Sequence, residues 1–290
     1  MFKYNGAEIG DKIKKVFSRN TVFIGSFFIL FQKRIHPTYK MTFFKKFRLG
    51  YRMYRNTRKV QTETNYKAHL VMAVKILGTP PDILGDVVEC GTFKGGSAIN
   101  LSIACKITGR KLRIYDSFEG LPEPHPDDRE ATPMSKGLYR CSMEDVKSNI
   151  RRYGEIDCCE FIKGWYDDTL PGIKGPILLA FLDVDFEASL DICVRSIWPQ
   201  LIDTGYIFID EYLSVSYCSL FFSEKYWKKY FNRTPPGLIG SGCGLPLGDY
   251  FIGPWDHMGF GPYGLESSYT IAYTRKDMNG HWTFYPDEKK

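Results

Sequence analysis

Short apolar runs alternate with stretches of helical periodicity along most of the chain after residue 80. Strands buried on both faces produce such runs, and helices that cross between parallel strands occupy the stretches between them. The predicted strands are Asp86 to Cys90, Lys111 to Tyr115, Cys159 to Lys163, Ile177 to Asp183, Tyr206 to Asp210, Asp249 to Ile252 and Tyr269 to Thr274. The pattern predicts an α/β fold with a doubly wound, mostly parallel, seven-stranded sheet, helices on both faces and an antiparallel edge.

Helical spacing of apolar residues predicts the helices of this fold. They are Thr64 to Leu77, Gly95 to Lys106, Met143 to Tyr153, Glu187 to Trp198 and Val215 to Tyr230. Ser142 is predicted to cap the helix that starts at Met143, because its hydroxyl can accept a hydrogen bond from the N–H of Asp145. The segment from Phe43 to about Gln61 is predicted to be a helix or an extended arm.

Charge divides the chain into a basic arm, residues 1–61, and a domain, residues 62–290. Residues 1–60 contain 15 Lys or Arg and 2 acidic residues, whereas the remainder contains 24 basic and 31 acidic residues. Such an arm is suited to an anionic membrane surface or to an oligomer contact, and a solvated basic helix is the alternative. The acidic balance of the remainder disfavours nucleic acid as a partner. Within the domain, the long insertion over 118–136 is predicted to be a lid or binding loop.

The eight cysteines include no CxxC pair, which is typical of reduced thiols in a cytosolic protein. The apolar stretch from Thr21 to Phe31 is too short to cross a bilayer as a helix and lacks a small-residue cleavage site. We therefore expect a cytoplasmic protein whose arm could lie on the inner face of the membrane.

The first strand is predicted to end in a glycine-rich turn, with Glu89, Gly91, Thr92, Gly95 and Ser97 as candidate cofactor contacts. Glycines allow close backbone approach to a ligand before a helix N-terminus. The turn departs from the dinucleotide fingerprint GxGxxG, because Glu89 stands where the first glycine would be. A carboxylate would repel a pyrophosphate, but it suits the cationic amino-acid portion of S-adenosylmethionine. A strand-to-helix turn without a ligand is the alternative.

The next two strand ends carry further candidate cofactor contacts, which are Asp116 and Ser117 and then Gly164 and Trp165. A carboxylate offers two acceptor oxygens to the hydroxyls of a ribose, so Asp116 is suited to a nucleoside. Trp165 could cover an adenine ring, although aromatic residues more often serve packing.

Carboxylates then follow the fourth and fifth strands at Asp183, Asp185, Asp210 and Glu211. Such a cluster of hard oxygen ligands favours Mg²⁺, with Ca²⁺ or Mn²⁺ as the alternatives. Capping of the following helix by Asp185 and Glu187 is the alternative, and it would remove Asp185 from the cluster.

The chain resembles the macrocin O-methyltransferase family between Asp86 and Tyr212. The resemblance is carried, in order and spacing, by VVECGTFKGGSAIN, IYDSFEGLP, FIKGWYDDTLP, FLDVDFEAS and IFIDEY. This family is similar to class I S-adenosylmethionine-dependent methyltransferases, and its characterised members methylate sugar hydroxyls of macrolides with help from Mg²⁺. The resemblance implies a Rossmann-like sheet, S-adenosylmethionine as methyl donor and a metal at the fourth and fifth strand ends.

Transferred residue by residue, the resemblance implies cofactor contacts and metal ligands. The cofactor contacts are Glu89, Gly91, Asp116 and Trp165, and the metal ligands are Asp183, Asp210 and Glu211. The sequence departs from the family at Glu211, where a second Asp is usual.

We expect an O-methyltransferase that acts on a sugar hydroxyl of a glycan, glycolipid or glycosylated metabolite. Asp183, Asp185 and His257 are the candidate catalytic residues, with Asp185 or His257 as general base. A non-catalytic membrane-associated or nucleic-acid-binding protein and an NAD-dependent enzyme are the alternatives.

Overall fold

The computed structural model describes residues 28–31, 34–64, 66–124, 134–212, 214–239 and 271–278. Within these ranges, no helix combines the length and the apolar character needed to traverse a bilayer. The strand predicted over 249–252, the candidate base His257 and residues 125–133 of the predicted lid lie outside the described residues.

A six-stranded sheet forms the centre of the described structure, with strand order β3-β2-β1-β4-β5-β6. The first five strands are parallel, and β6 pairs antiparallel with β5 at the edge. The strands are β1 (Asp86–Cys90), β2 (Leu112–Asp116), β3 (Cys159–Lys163), β4 (Ile177–Leu182), β5 (Leu201–Ile209) and β6 (Ala272–Arg275). The predicted α/β class and the mostly parallel sheet with an antiparallel edge are confirmed, although the described residues form six strands and not the predicted seven.

The helices of the described residues agree with most of the prediction. They are α1 (Phe43–Thr57), α2 (Tyr66–Gly78), α3 (Gly96–Thr108), α4 (Met143–Tyr153), α5 (Tyr166–Thr169), α6 (Glu187–Ile197), α7 (Val215–Ser219) and α8 (Glu224–Phe231). Ser142 caps α4 as predicted, since its hydroxyl accepts the N–H of Asp145 at 3.1 Å.

The prediction of one continuous helix over 215–230 is wrong. A 3₁₀ turn, Leu220–Phe222, follows α7, and Ser223 then adopts an extended conformation. The Ser223 hydroxyl accepts the N–H of Tyr226 at 3.3 Å, so this serine starts a new helix instead of continuing the old one.

Two apolar layers cover the faces of the sheet, as alternation along β4 illustrates. Leu179 and Phe181 belong to the cluster that contains α2 and α3, whereas Ala180 and Leu182 belong to the cluster that contains α6 and α8. Successive side chains of a strand point to opposite faces, so helices pack on both.

The strand order reverses between β1 and β4, because β2 and β3 lie on one side of β1 and β5 lies on the other side of β4. In open α/β sheets, ligands bind beyond the carboxyl ends of the strands at such a point. The topology therefore predicts a ligand-binding site at the residues that follow Cys90 and Leu182.

Candidate active site

A cavity of about 550 Å³ opens at the carboxyl ends of the strands where the order reverses. Predicted site residues from the ends of β1 to β5 meet there. They are Gly91, Thr92, Ser97, Asp116, Ser117, Gly164, Trp165, Asp183, Asp185, Asp210 and Glu211. Of the remaining predicted residues, Glu89 is fully buried at the end of β1, and Gly95 packs beside Val146.

Gly91 begins the turn after β1 with φ of 82°, in the left-handed region that favours glycine. A β-carbon at this position would fall 1.8 Å from the main-chain carbonyl oxygen of Asp183. The turn therefore requires glycine both for its conformation and for the close approach of the chain after β4.

Glu89 is a fully buried carboxylate with one oxygen bound and one unpaired. The Thr92 hydroxyl donates to Oε2 at 3.0 Å, whereas Oε1 accepts no hydrogen bond from the described residues. Burial raises the pKa of Glu89 to about 7. An unpaired buried carboxylate oxygen fits a cationic ligand group, because charge pairing would offset the cost of its desolvation.

Asp116 ends β2 with both carboxylate oxygens engaged by the main chain. Oδ2 accepts the N–H of Thr92 at 2.7 Å, and Oδ1 accepts the N–H of Phe118 at 2.6 Å. Burial raises the pKa of this carboxyl. Each oxygen keeps a further lone pair, so the carboxylate is held in place while it can still accept hydrogen bonds from two ligand hydroxyls.

The residues beside Asp116 shape the cavity in different ways. The Ser117 hydroxyl donates to the carbonyl of Gly120 and accepts the N–H of Glu119, both at 3.1 Å, so it stabilises the turn that starts the insertion. The N–H of Gly164 donates to the carbonyl of Asp116 at 3.0 Å. Trp165 follows and presents a large aromatic side chain that is 36% exposed at the cavity.

Three carboxylates at the ends of β4 and β5 form a compact group. Asp183, Asp185 and Glu211 each offer an oxygen, and these oxygens all lie within 4.8 Å of one another. The N–H of Asp185 donates to Glu211 Oε1 at 3.2 Å. The predicted set contained Asp210 in place of Asp185; Asp210 lines the same cavity.

The alternative role for Asp185, as a helix cap, is not what the structure has. Phe186 is the N-cap of α6 and makes no side-chain capping bond, while Asp185 has φ of 59° and lines the cavity.

Burial and repulsion between neighbouring negative charges both raise the pKa values of Asp183 and Asp185. Burial, followed by the charges of Asp210 and Glu211, raises the pKa of Asp183 well above its usual range. The pKa of Asp185 is raised to about 6 by burial and by the charge of Glu63. A set of carboxylate oxygens that repel one another fits a hard divalent cation, which would remove the repulsion.

Several residues that line the cavity were not among the sequence-based candidates, and they include Thr62, Glu63, Phe93 and Tyr139. The rings of Phe93 and Tyr139 meet edge to face with centroids 5.4 Å apart. Phe93 lies inside the glycine-rich turn and has φ of 47°. Its place in the sequence, next to candidate residues, could have identified it as a residue of the site.

The doubly wound sheet, with its acidic and glycine-rich rim, defines a Rossmann-like fold of the kind found in class I methyltransferases. Residues 68–233, more than half of the chain, match the model of the macrocin O-methyltransferase (TylF) family, and the chain belongs to this family. The resemblance inferred from the sequence motifs is confirmed.

Curated relatives from Streptomyces species share part of this sequence. One is the 8-demethyl-8-(2,3-dimethoxy-alpha-L-rhamnosyl)-tetracenomycin-C 4'-O-methyltransferase of Streptomyces olivaceus, 36% identical over an alignment of 138 residues that covers 44% of this chain and 53% of that protein. Another is the demethyldecarbamoylnovobiocin O-methyltransferase of Streptomyces niveus, 31% identical over an alignment of 150 residues that covers 47% of this chain and 56% of that protein. The chain thus spans about half the length of the curated relatives it matches.

Among solved structures, the O-methyltransferase NovP has the same fold. The two superpose with a TM-score of 0.52 at 21% identity, over 71% of this chain and 76% of that chain. This similarity concerns the fold alone.

Proposed function

We propose that this protein is an S-adenosylmethionine-dependent O-methyltransferase that acts on a sugar hydroxyl of a glycan, glycolipid or glycosylated metabolite. One observation carries the proposal: Asp116, at the end of β2, and Asp183, at the end of β4, line the same cavity. A carboxylate suited to ribose hydroxyls therefore lies beside a group of acids suited to an acceptor and a cation.

The residues around the β1 turn support S-adenosylmethionine in preference to a dinucleotide. The unpaired oxygen of Glu89 suits the cationic amino-acid portion of the cofactor and would repel a pyrophosphate. In this proposal Glu89, Gly91 and Asp183 surround the amino-acid portion and Asp116 accepts the ribose hydroxyls. The other predicted cofactor contacts are Thr92, Gly95, Ser97, Ser117, Gly164 and Trp165.

A divalent cation, Mg²⁺ in the first instance, would be held by Asp183, Asp185 and Glu211, with Asp210 in the same cavity. When bound, it would lower the pKa of an acceptor hydroxyl and orient it. The protein's part is to bring hydroxyl and methyl donor together in one cavity, since positioning carries much of the acceleration in such transfers. Asp185 would offer one oxygen to the cation, so its other oxygen is the candidate general base among the described residues, and His257 remains a sequence-based candidate.

The acceptor class rests on the relatives. The name of the Streptomyces olivaceus protein specifies methylation at a 4' oxygen of a rhamnosyl-bearing metabolite. We propose an acceptor of the same chemical kind, a sugar with a free hydroxyl.

We further propose that residues 62–290 form the catalytic domain, with a lid over 118–136. The arm, residues 1–61, would bring the enzyme to an anionic membrane surface on the cytoplasmic side. Phe43 and Phe44 on α1 are 60% and 79% exposed, and the sequence has no acidic residue between Asp11 and Glu63. Two copies related by a two-fold axis through this face would oppose like charges, which favours an anionic partner over a second copy.

The test is methyl transfer followed by mass spectrometry. The protein is incubated with S-adenosylmethionine, Mg²⁺ and a panel of rhamnosylated and other glycosylated metabolites, with Asp183→Asn as the matched inactive variant. We expect one added methyl group on a sugar and its loss in the variant. Calorimetry with S-adenosylhomocysteine, NAD and an oligonucleotide separates the alternatives. Binding of NAD or of the oligonucleotide, without binding of S-adenosylhomocysteine, would overturn the proposal.

A further inference from the structure

A line of buried polar side chains connects α1 with the cavity. Asn56 Nδ2 donates to Asn100 Oδ1 at 3.0 Å, and Asn100 Nδ2 lies 3.0 Å from His69 Nδ1. On the other side of the ring, His69 Nε2 lies 2.6 Å from Thr64 Oγ1, which lies 3.0 Å from Thr62 Oγ1. Thr62 lines the cavity. Four of these five side chains are almost completely buried, so each of their polar groups needs a partner.

Main-chain carbonyls fix which way both amides point. Asn100 Nδ2 also donates to the carbonyl of Met53 at 3.2 Å, and Asn56 Nδ2 also donates to the carbonyl of Tyr153 at 3.3 Å. Rotating either amide by half a turn would set its oxygen against a carbonyl oxygen. Asn100 therefore presents a donor to His69.

His69 is consequently a neutral ring with a single tautomer. Because Nδ1 faces a donor, it must accept, and the ring proton must reside on Nε2. Burial favours the same neutral state, lowering the pKa of His69 to about 3. The Nε2–H then donates to Thr64 Oγ1.

The hydrogen bond from His69 also fixes the direction of the hydrogen bond between Thr64 and Thr62. Its hydroxyl already accepts from His69, and among the described residues Thr62 Oγ1 is the acceptor within reach of its own proton. The N–H of Thr64 also donates to Thr62 Oγ1, at 3.3 Å. Thr62 thus accepts two hydrogen bonds, and its own proton is left for a ligand.

The position of Thr62 indicates which part of a ligand would accept a hydrogen bond from its hydroxyl. A β-carbon on Gly96, the first residue of α3, would fall 2.5 Å from Thr62 Cβ and 3.0 Å from its Oγ1. The threonine therefore packs directly on the start of α3, where exposed main-chain N–H groups favour negative charge. A hydroxyl that can only donate, placed there, is matched by an oxygen that can only accept.

We infer that His69 is a positioning residue which, through Thr64, fixes the Thr62 hydroxyl as a hydrogen-bond donor to the carboxylate of the bound methyl donor. The inference rests on the proposed function, since that carboxylate belongs to S-adenosylmethionine. Glu89 and Thr62 would then bind opposite charges of one amino-acid group.

The test compares Thr64→Val, which removes the hydroxyl at constant shape, with Thr64→Ser, which keeps it. We expect Thr64→Val to weaken binding of S-adenosylhomocysteine about tenfold, the size of a lost charge-assisted hydrogen bond, and Thr64→Ser to bind as the wild type does. In a Thr62→Val background, Thr64→Val should have no further effect. Methylthioadenosine, which lacks the carboxylate, should bind all the variants equally.

A loss of affinity that is the same for methylthioadenosine, or that persists in the Thr62→Val background, would overturn the inference and leave the proposed function intact. Failure of the wild type to bind S-adenosylhomocysteine would overturn both. For His69 itself, His69→Gln retains a donor toward Thr64 and should retain more affinity than His69→Met. Equal affinities of the two variants would remove His69 from the assignment.

Discussion

The main chain of Gly91 lies against the carbonyl oxygen of Asp183, so closely that a β-carbon on Gly91 would fall 1.8 Å from that oxygen. The two residues follow neighbouring strands, and each contributes to the cavity. Their contact sets the spacing between the β1 turn, which would hold the cofactor, and the acids that follow β4.

Replacement of Gly91 by alanine should therefore disturb both the fold and ligand binding. The φ of 82° alone would cost about 1 to 3 kcal/mol for a residue with a β-carbon, and the overlap adds to that cost. Gly172→Ala is the matched control, because nothing lies within 4 Å of its β-carbon position. Urea unfolding should give a much lower midpoint for Gly91→Ala and a nearly unchanged one for the control; similar midpoints for the two would contradict this account.

Asp116→Asn should weaken cofactor binding while keeping the side chain's volume. The amide nitrogen would face either the N–H of Thr92 or that of Phe118, and one ribose hydroxyl would lose its acceptor. We expect S-adenosylhomocysteine to bind at least about tenfold more weakly by calorimetry. Asp168→Asn, at an exposed position after β3, should bind normally. An unaltered Kd in Asp116→Asn would remove this residue from the cofactor site.

The buried carboxyl of Glu89 should make the stability of the ligand-free protein depend on pH. Its pKa is raised from 4.5 to about 7, so the folded protein holds the proton more tightly than the unfolded chain does. The resulting stabilisation is complete below pH 4.5 and is lost as the pH rises to about 7, a change of about 3 kcal/mol. The free energy of unfolding of the wild type minus that of Glu89→Gln should fall over this window. A flat difference would show that Glu89 is ionised when buried.

Mg²⁺ should stabilise the folded protein through Asp183, Asp185 and Glu211, because it would relieve their repulsion. Linkage predicts about 2.7 kcal/mol when free Mg²⁺ is about one hundred times its dissociation constant. Asp183→Asn should be more stable than the wild type without the cation and should gain little from it. Asp82→Asn, at an exposed position, should respond as the wild type does. Thermal melting of the three proteins with and without Mg²⁺ measures these differences in stability. If Mg²⁺ stabilised Asp183→Asn as much as the wild type, Asp183 would be excluded as a ligand.

Phe43 and Phe44 should promote binding to anionic vesicles through the exposed end of α1. The double substitution Phe43→Ser and Phe44→Ser should reduce co-sedimentation with phosphatidylserine-containing vesicles, because the aromatic rings would no longer enter the interface. Phe222→Ser is the control, since Phe222 is 57% exposed elsewhere on the surface. Equal co-sedimentation of all three proteins would contradict the membrane proposal.

Much of the fold was predictable because burial on both faces leaves a strong apolar signal. The limits of β1 and β3 agree with the prediction residue for residue. By contrast β5 begins at Leu201, five residues before the predicted Tyr206. The intervening Asp-Thr-Gly is typical of a turn, and Thr204 does have a positive φ of 69°, but the strand continues across this irregularity.

The site was predictable wherever a residue directly follows a strand, as Asp116 and Asp183 do. Thr62 and Tyr139 reach the cavity from segments outside the sheet, so neither strand pattern nor motif spacing pointed to them. The order of hydrogen bonds from Asn56 to Thr62 depends on packing between three helices, which a single sequence does not encode in any local pattern.

The acids that follow β4 and β5 also bear on how such a protein can change over generations. Any neutral replacement there would ease crowding of negative charge and add heat resistance, yet would discard the groups proposed for chemistry. Directed evolution for thermal survival alone should consequently accumulate asparagine and glutamine at these positions and yield robust but idle variants, whereas selection for turnover should keep the acids and improve the scaffold elsewhere.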